Sequence, residues 1–339
     1  MKKTLSITIA LVCVATARAQ VAQVETVQER QQLKPVVKTQ FNDGEAAPEL
    51  YSGESDDVGP QSVLRPKARK TLFEVSGDAQ LFRTDNLFLT DKDPFGVRDR
   101  EKVEAVVLVS TVEIALAPTP YEIEGGKLAP RFGYRHQWFD FGLDDERLPG
   151  SRLPLSHFNF NAQTLFADAQ WSRDNWVFSG GVNGMRLMTS DGYDQFYSEL
   201  LPHLGVKRIL PINEQMAFAF GYEGNYHFTS TKVEFFPFDA SDVSDRTDQM
   251  LFATYTHVLC KHAVFQPYYR FKYTHFTESS IGERNDYLQS MGASLYFIIC
   301  PHLNVRAFAG YDIKRTDNHL AAEYHKLDLG GGVNVTFRF

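Results

Sequence analysis

From Thr71 to the carboxyl terminus, apolar and polar residues alternate along one run after another. Side chains at period two project to opposite faces of a β-strand, so each run reads as a strand with one greasy and one wet face. The first, TLFEVSGDAQLF, sets Phe73, Val75, Ala79 and Leu81 against Glu74, Ser76, Asp78 and Gln80. Further runs fall near 104–117, 129–142, 158–172, 176–189, 197–209, 215–229, 248–260, 263–276, 285–299, 302–315 and 324–339. In 215–229, Met216, Phe218, Phe220, Tyr222, Tyr226 and Phe228 oppose Ala217, Ala219, Gly221, Glu223, Asn225 and His227. In 263–276, Phe265, Pro267, Tyr269, Phe271 and Tyr273 oppose Gln266, Tyr268, Arg270, Lys272 and Thr274. The runs near 129–142, 158–172 and 176–189 are less regular. Asp168 and Trp171 fit only if the period slips around Phe166, which predicts a β-bulge there.

The connections fall into two kinds. After the runs near 172, 260 and 300 they are tight (Asp174-Asn175, Lys261-His262, Pro301-His302). After those near 89, 142, 229, 276 and 315 they are long, polar and acidic, as in DKDPFGVRDREK and STKVEFFPFDASDVSDRTD. Short and long links alternate, as they do in a transmembrane barrel with short turns at one rim and long loops at the other. The predicted fold is an all-β, antiparallel up-and-down barrel over 71–339 of ~12 strands, with ~10 or ~14 left open by the long link at 117–129. A soluble two-sheet sandwich would not need that alternation. Many of the 27 Phe, 15 Tyr and 3 Trp fall near strand ends, among them Trp138, Trp171, Trp176, Tyr226, Phe228, Tyr273 and Phe276. There they would form interfacial girdles.

The last strand, YHKLDLGGGVNVTFRF, keeps one apolar face through Val333, Val335, Phe337 and Phe339 to the end of the chain. It resembles the closing strand of bacterial outer-membrane β-barrels, whose terminal aromatic is read by the barrel-assembly machinery. That resemblance implies an outer-membrane location and assigns Phe337 and Phe339 as an assembly signal. The start of the chain agrees. Lys2 and Lys3, an apolar run from Leu5 to Val14 and Ala-x-Ala at 17–19 have the layout of a secretory signal, with cleavage expected after Ala19. Cys13 belongs to its apolar run. Residues 20–70 are rich in Gln, Glu, Pro and Gly. They read as a flexible periplasmic segment, with a barrel plug or a tether as the functional alternatives.

The chain holds 35 basic and 42 acidic residues, a net charge of −7, which leaves no electrostatic case for nucleic acid. The candidate chemistry therefore lies inside the barrel. The wet faces carry Arg270, Lys272, Arg306, Lys314 and Lys326 on late strands and Glu74, Asp78 and Glu223 elsewhere. These are the predicted pore-lining residues, with a basic wall suited to small polar or anionic solutes. The expected function is a passive channel. The alternative is a closed structural or adhesive barrel, its acidic loops binding divalent cations, lipopolysaccharide or an external partner. Outer-membrane lipids are the expected surroundings, and no cofactor or metal is expected.

Other motifs are weaker. Cys260 and Cys300 lie one whole strand apart, ~9.6 Å against a ~7 Å ceiling for bridged Cα atoms, so a disulfide needs the turns to curl together. The same spacing weakens a zinc site with His262 and His302. Two hairpins echo each other, each with an apolar run, Cys-x-His and an alternating strand ending in basic residues (YTHVLCKHAVFQPYYRFKYT and LYFIICPHLNVRAFAGYDIKRT). Ser156-His157, and Asp144-Asp145 with His136, lie in contexts that match no hydrolase motif of this membrane, so no enzymatic activity is expected.

Overall fold

Each alternating run forms a long strand, and hydrogen bonding to both neighbours satisfies its backbone. The computed structural model describes residues 19–31, 72–89, 102–141, 147, 154–231, 244–279, 282–319 and 321–339. The strands are β1 (Phe73–Thr84), β2 (Ala105–Leu116), β3 (Tyr121–Ile123), β4 (Gly126–Asp140), β5 (Phe160–Arg173), β6 (Trp176–Thr189) and β7 (Gln195–Pro211). They continue as β8 (Met216–Thr231), β9 (Arg246–Cys260), β10 (Ala263–Phe276), β11 (Arg284–Cys300), β12 (Leu303–Thr316) and β13 (Tyr324–Arg338). Neighbours in sequence pair antiparallel, except that β2 pairs with β4 past the short β3. β13 returns to β1, with Phe337 opposite Val75 and Arg338 opposite Glu74. The closed barrel therefore has twelve strands, and β3 stands outside it.

That extra strand accounts for the long link at 117–129. Tyr121–Ile123 folds back on β4 through Glu124 and Gly125, both at positive φ (51° and 74°), as a two-residue hairpin turn requires. The link is a projecting hairpin and adds no membrane crossing. The bulge expected at Phe166 is absent. β5 keeps an unbroken register with β4 and with β6. Phe166 faces inward, where the Arg131 and Arg135 guanidiniums cover its ring at 5.0 and 5.5 Å, so the period never slips. Phe276, read as a girdle aromatic, is likewise buried, beneath the Arg284 guanidinium.

The outer surface is apolar. Leu165, Leu200, Leu204, Phe220, Phe228, Leu251, Leu329 and Phe337 are all exposed on it. In water this would be an aggregation surface; in lipid it is the required one. Among the described residues no helix is long and apolar enough to cross a membrane. Cys260 and Cys300 are exposed and unbridged. The echoed histidines do a structural job: His262 Nδ1 donates to the Ile298 carbonyl and His302 Nδ1 to the Thr336 carbonyl, each at 3.0 Å, tying one turn to the next hairpin.

Candidate functional site

The lumen holds a helix. Residues 19–31, AQVAQVETVQERQ, form α1, within the stretch read from sequence as flexible. That reading is corrected over 20–31; residues 32–70 and the candidate signal before Ala19 lie outside the described residues. Ala, Gln, Glu and Arg favour a helix, and Val21, Val24 and Val27 recur every third residue to give it one apolar stripe. The stripe is buried, at 5%, 1% and 0% exposure. It packs on an apolar patch of the inner wall made by Val107 and Val109 of β2, Phe139 of β4 and Leu187 of β6. Fully burying a side chain of this size contributes roughly 1.5–3 kcal/mol.

The amino end of α1 lies at the long-loop rim and its carboxyl end near mid-barrel. Gln20 Nε2 donates to the Phe158 carbonyl at 3.0 Å and Gln23 Nε2 to the Leu87 carbonyl at 3.4 Å, both in long-loop links. Gln31 Nε2 donates to Asp78 Oδ1 at 3.1 Å and to Thr111 Oγ1 at 3.0 Å, halfway along β1 and β2. A barrel of ~8 strands is filled by its own side chains and one of ~16 encloses a channel. This barrel, between those sizes, has room for one helix.

Opposite the valines, α1 is held by charge. Glu25 lies 2.7 Å from Arg246 Nη2 of β9 and 2.8 Å from Lys272 Nζ of β10. Glu29 pairs with Arg270 of β10, whose Nη2 also donates to the Glu29 carbonyl at 3.3 Å. Arg30 pairs with Asp328 of β13 and lies over the rings of Phe82 and Phe308, at 5.0 and 4.6 Å from their centroids. Gly310 faces Arg30 and Tyr268, whose hydroxyl would lie 3.1 Å from a Cβ added there.

The wall charges predicted to line a pore lie on the inner face, but not as an unpartnered basic wall. Arg306 bonds Asp78 at 2.9 Å, and Lys314 bonds Asp286 at 2.8 Å. Lys326 lies 3.2 Å from both Asp312 and Asp328, and Lys272 also reaches Asp248 at 3.3 Å. Glu74 pairs with Arg131 at 2.8 Å and Arg338 at 3.0 Å. Glu223, on the inner face of β8, is half-buried, as is Lys207, two residues along β7 from its register partner Gly205. These two, with the His203–Asp168 pair at 3.3 Å, leave the short-turn half of the lumen polar along β5, β7 and β8. The expectation of a basic wall left out the carboxylates of α1 and, on the wall, Asp248 and Asp286.

Glu25, His227 and Asp248 bring their ligand atoms within 4.8 Å of one another, a spacing a metal ion could use. Lys272 and Arg246 already bridge Glu25, and Lys272 also reaches Asp248. A divalent cation would have to displace two buried cations, so the donor set fits an ion-pair network better than a metal. Of the weaker candidates, Ser156 and His157 lie in a short 3-10 turn, Leu155–Phe158, and His136 faces outward on β4. Asp144 and Asp145, with most of the acidic loop residues, lie outside the described residues. Sequence reasoning missed Glu25, Glu29 and Arg30. The signal that could have found them was the three-residue valine stripe, with two glutamates four apart on another face.

No family model matches the sequence, and no curated protein matches it. Solved structures match its shape. An outer membrane channel from Pseudomonas putida F1 superposes with a TM-score of 0.50 at 9% identity, covering 79% of this chain and 96% of the other. The β domain of the Bordetella autotransporter BrkA gives 0.43 at 15% identity over 79% and 100% of the two chains. The KdgM porin in complex with disordered oligogalacturonate gives 0.38 at 10% over 77% and 99%. At such identities the likeness is one of fold. The twelve-stranded closed barrel with an apolar outer face is the architecture of bacterial outer-membrane β-barrels.

Proposed function

We propose that this protein is an outer-membrane channel for small anionic solutes, held closed by α1. In this reading the long loops are extracellular and the short turns periplasmic. The observation that carries the proposal is the seating of Glu25 and Glu29 on Arg246, Lys272 and Arg270. Two carboxylates of the chain itself occupy the basic part of the wall, and withdrawing them would free those cations for the carboxylate or phosphate of a solute. The polar short-turn half would then be continuous with the space α1 leaves.

The test is planar-bilayer conductance. The whole protein is expected to be mostly closed. A variant lacking residues 20–31 should conduct steadily and prefer chloride to potassium, and Arg270→Ser with Lys272→Ser in that variant should reduce the preference. A variant that lacks 20–31, folds and inserts, yet never conducts would refute the channel and favour a closed structural barrel. The exposed rings of Phe337 and Phe339, at the short-turn rim, are the surface that assembly machinery would engage. Deleting Phe339 should sharply lower the heat-modifiable folded form in cells.

A further inference from the structure

The lipid-facing side of the barrel carries a few polar groups where apolar residues are the rule, among them Tyr273, His275 and Asn285 and the Tyr311–His325 pair, and one further cluster contains an arginine. On β4, β5 and β6, toward the long-loop rim, Tyr134, His136, Gln163 and Arg186 face outward on adjacent strands. Gln163 stands opposite both His136 and Arg186 in register. Arg186 Nε donates to Gln163 Oε1 at 2.8 Å. The Gln163 amide lies 3.4 Å from His136 Nδ1, and the Tyr134 hydroxyl 3.0 Å from the same atom. The His136 ring rests on Trp138, with centroids 4.2 Å apart. The guanidinium is thus held through Nε alone, and its two terminal nitrogens remain for a bidentate anion.

Two other outward arginines at this rim are neutralised. Arg83 pairs with Glu104, and Arg315 lies 3.0 Å from Glu323. Arg186 is exposed and has no carboxylate partner among the described residues. Directly below it, toward mid-membrane, the next outward residue of β6 is Gly184, where an added Cβ would meet nothing within 4 Å. Its register partners are Leu165 of β5 and Leu200 of β7, 65% and 50% exposed. A cationic fork therefore stands at the head of a shallow apolar groove with leucine walls.

We infer that Arg186, with Gln163 and His136 positioning it, binds the phosphate of a phosphorylated glycolipid in the outer leaflet, and that one acyl chain of that lipid lies along the groove at Gly184. The chemistry selects this occupant. A charge at headgroup depth needs an anion, and a groove running toward mid-membrane needs an attached hydrocarbon chain. A free phosphate would satisfy only the first. The inference rests on the orientation proposed above, which puts this rim outside, where the leaflet of such a membrane is built from phosphorylated glycolipid. The inference does not depend on whether the lumen conducts.

The test is native mass spectrometry of the full-length protein in detergent with bis-phosphorylated lipid A, dephosphorylated lipid A or phosphatidylglycerol. The wild type should retain bis-phosphorylated lipid A and bind both other lipids much more weakly. Arg186→Gln should reduce that retention about tenfold or more, the loss of one charge-assisted bidentate contact. Gly184→Leu, which fills the groove and leaves the arginine intact, should reduce it independently. Both substitutions face outward, so the heat-modifiable folded fraction should be unchanged. Retention unaffected by either variant, or equal retention of phosphatidylglycerol or the dephosphorylated lipid, would overturn the inference.

Discussion

The wall formed by β2, β4 and β6 meets α1 through valines and an aromatic ring, whereas the wall formed by β9, β10 and β13 meets it through Glu25, Glu29 and Arg30. The two contacts differ in what they contribute. Burial of the valine stripe is non-directional and supplies most of the attraction. The ion pairs gain less net energy, because every charge loses water on docking, but they accept only one rotation and one depth of the helix. The apolar wall holds the helix in the lumen, and the charged wall sets its register.

Four experiments separate the two contacts. The largest effect is expected from Val24→Asp combined with Val27→Asp, which puts two carboxylates without cationic partners into the apolar seat. Several kcal/mol per buried charge exceeds any plausible docking energy of one short helix. Hydrogen exchange of residues 19–31 should rise to that of a free peptide while the barrel amides stay protected. Protection that survives would mean the ionic wall alone holds α1. Next is Lys272→Met, which leaves Glu25 and Asp248 to share Arg246. Glu25 keeps 22% side-chain exposure, so the loss should be about 2 kcal/mol, below the range for a fully buried pair. Glu25→Gln in the same chain should restore part of it, and a purely additive double-mutant cycle would show that the two groups do not interact.

A smaller effect, about 1 kcal/mol, is expected for Glu29→Gln, whose carboxylate is 29% exposed and whose backbone carbonyl still accepts from Arg270. The smallest is that of salt. Raising ionic strength from about 0.1 M to about 1 M shortens the screening length from ~10 to ~3 Å, which weakens the partly exposed pairs and leaves the valines untouched. Opening frequency of the wild type should rise modestly with salt, and that of Glu29→Gln should rise less. Equal salt response in both would place the sensitivity outside the Glu29–Arg270 pair.

Much of the barrel was legible. The run read over 263–276 is β10, and those over 215–229, 302–315 and 324–339 match β8, β12 and β13 to within two residues at either end. In these four strands the inward and outward sets agree with observed burial. The expected β-bulge in β5 is where the strand reading failed. A slip of the period was expected around Phe166, but an inward ring is stable when guanidiniums cover its face, so none is needed. The helix was missed for a related reason. Three valines in a Gln- and Glu-rich stretch look too few to offset the cost of ordering, and they are too few without a preformed apolar wall to receive them.

By itself the sequence determined the period, the parity and the two rims, because alternation is a property of each strand alone and link length of each turn alone. Which charges meet was decided only by the closed barrel. Arg270 and Glu29 are 241 residues apart, and nothing in either neighbourhood names the other. Their meeting depends on the number of strands, on the stagger with which β13 returns to β1, and on a lumen wide enough for one helix. Those quantities exist only when all twelve strands are in place.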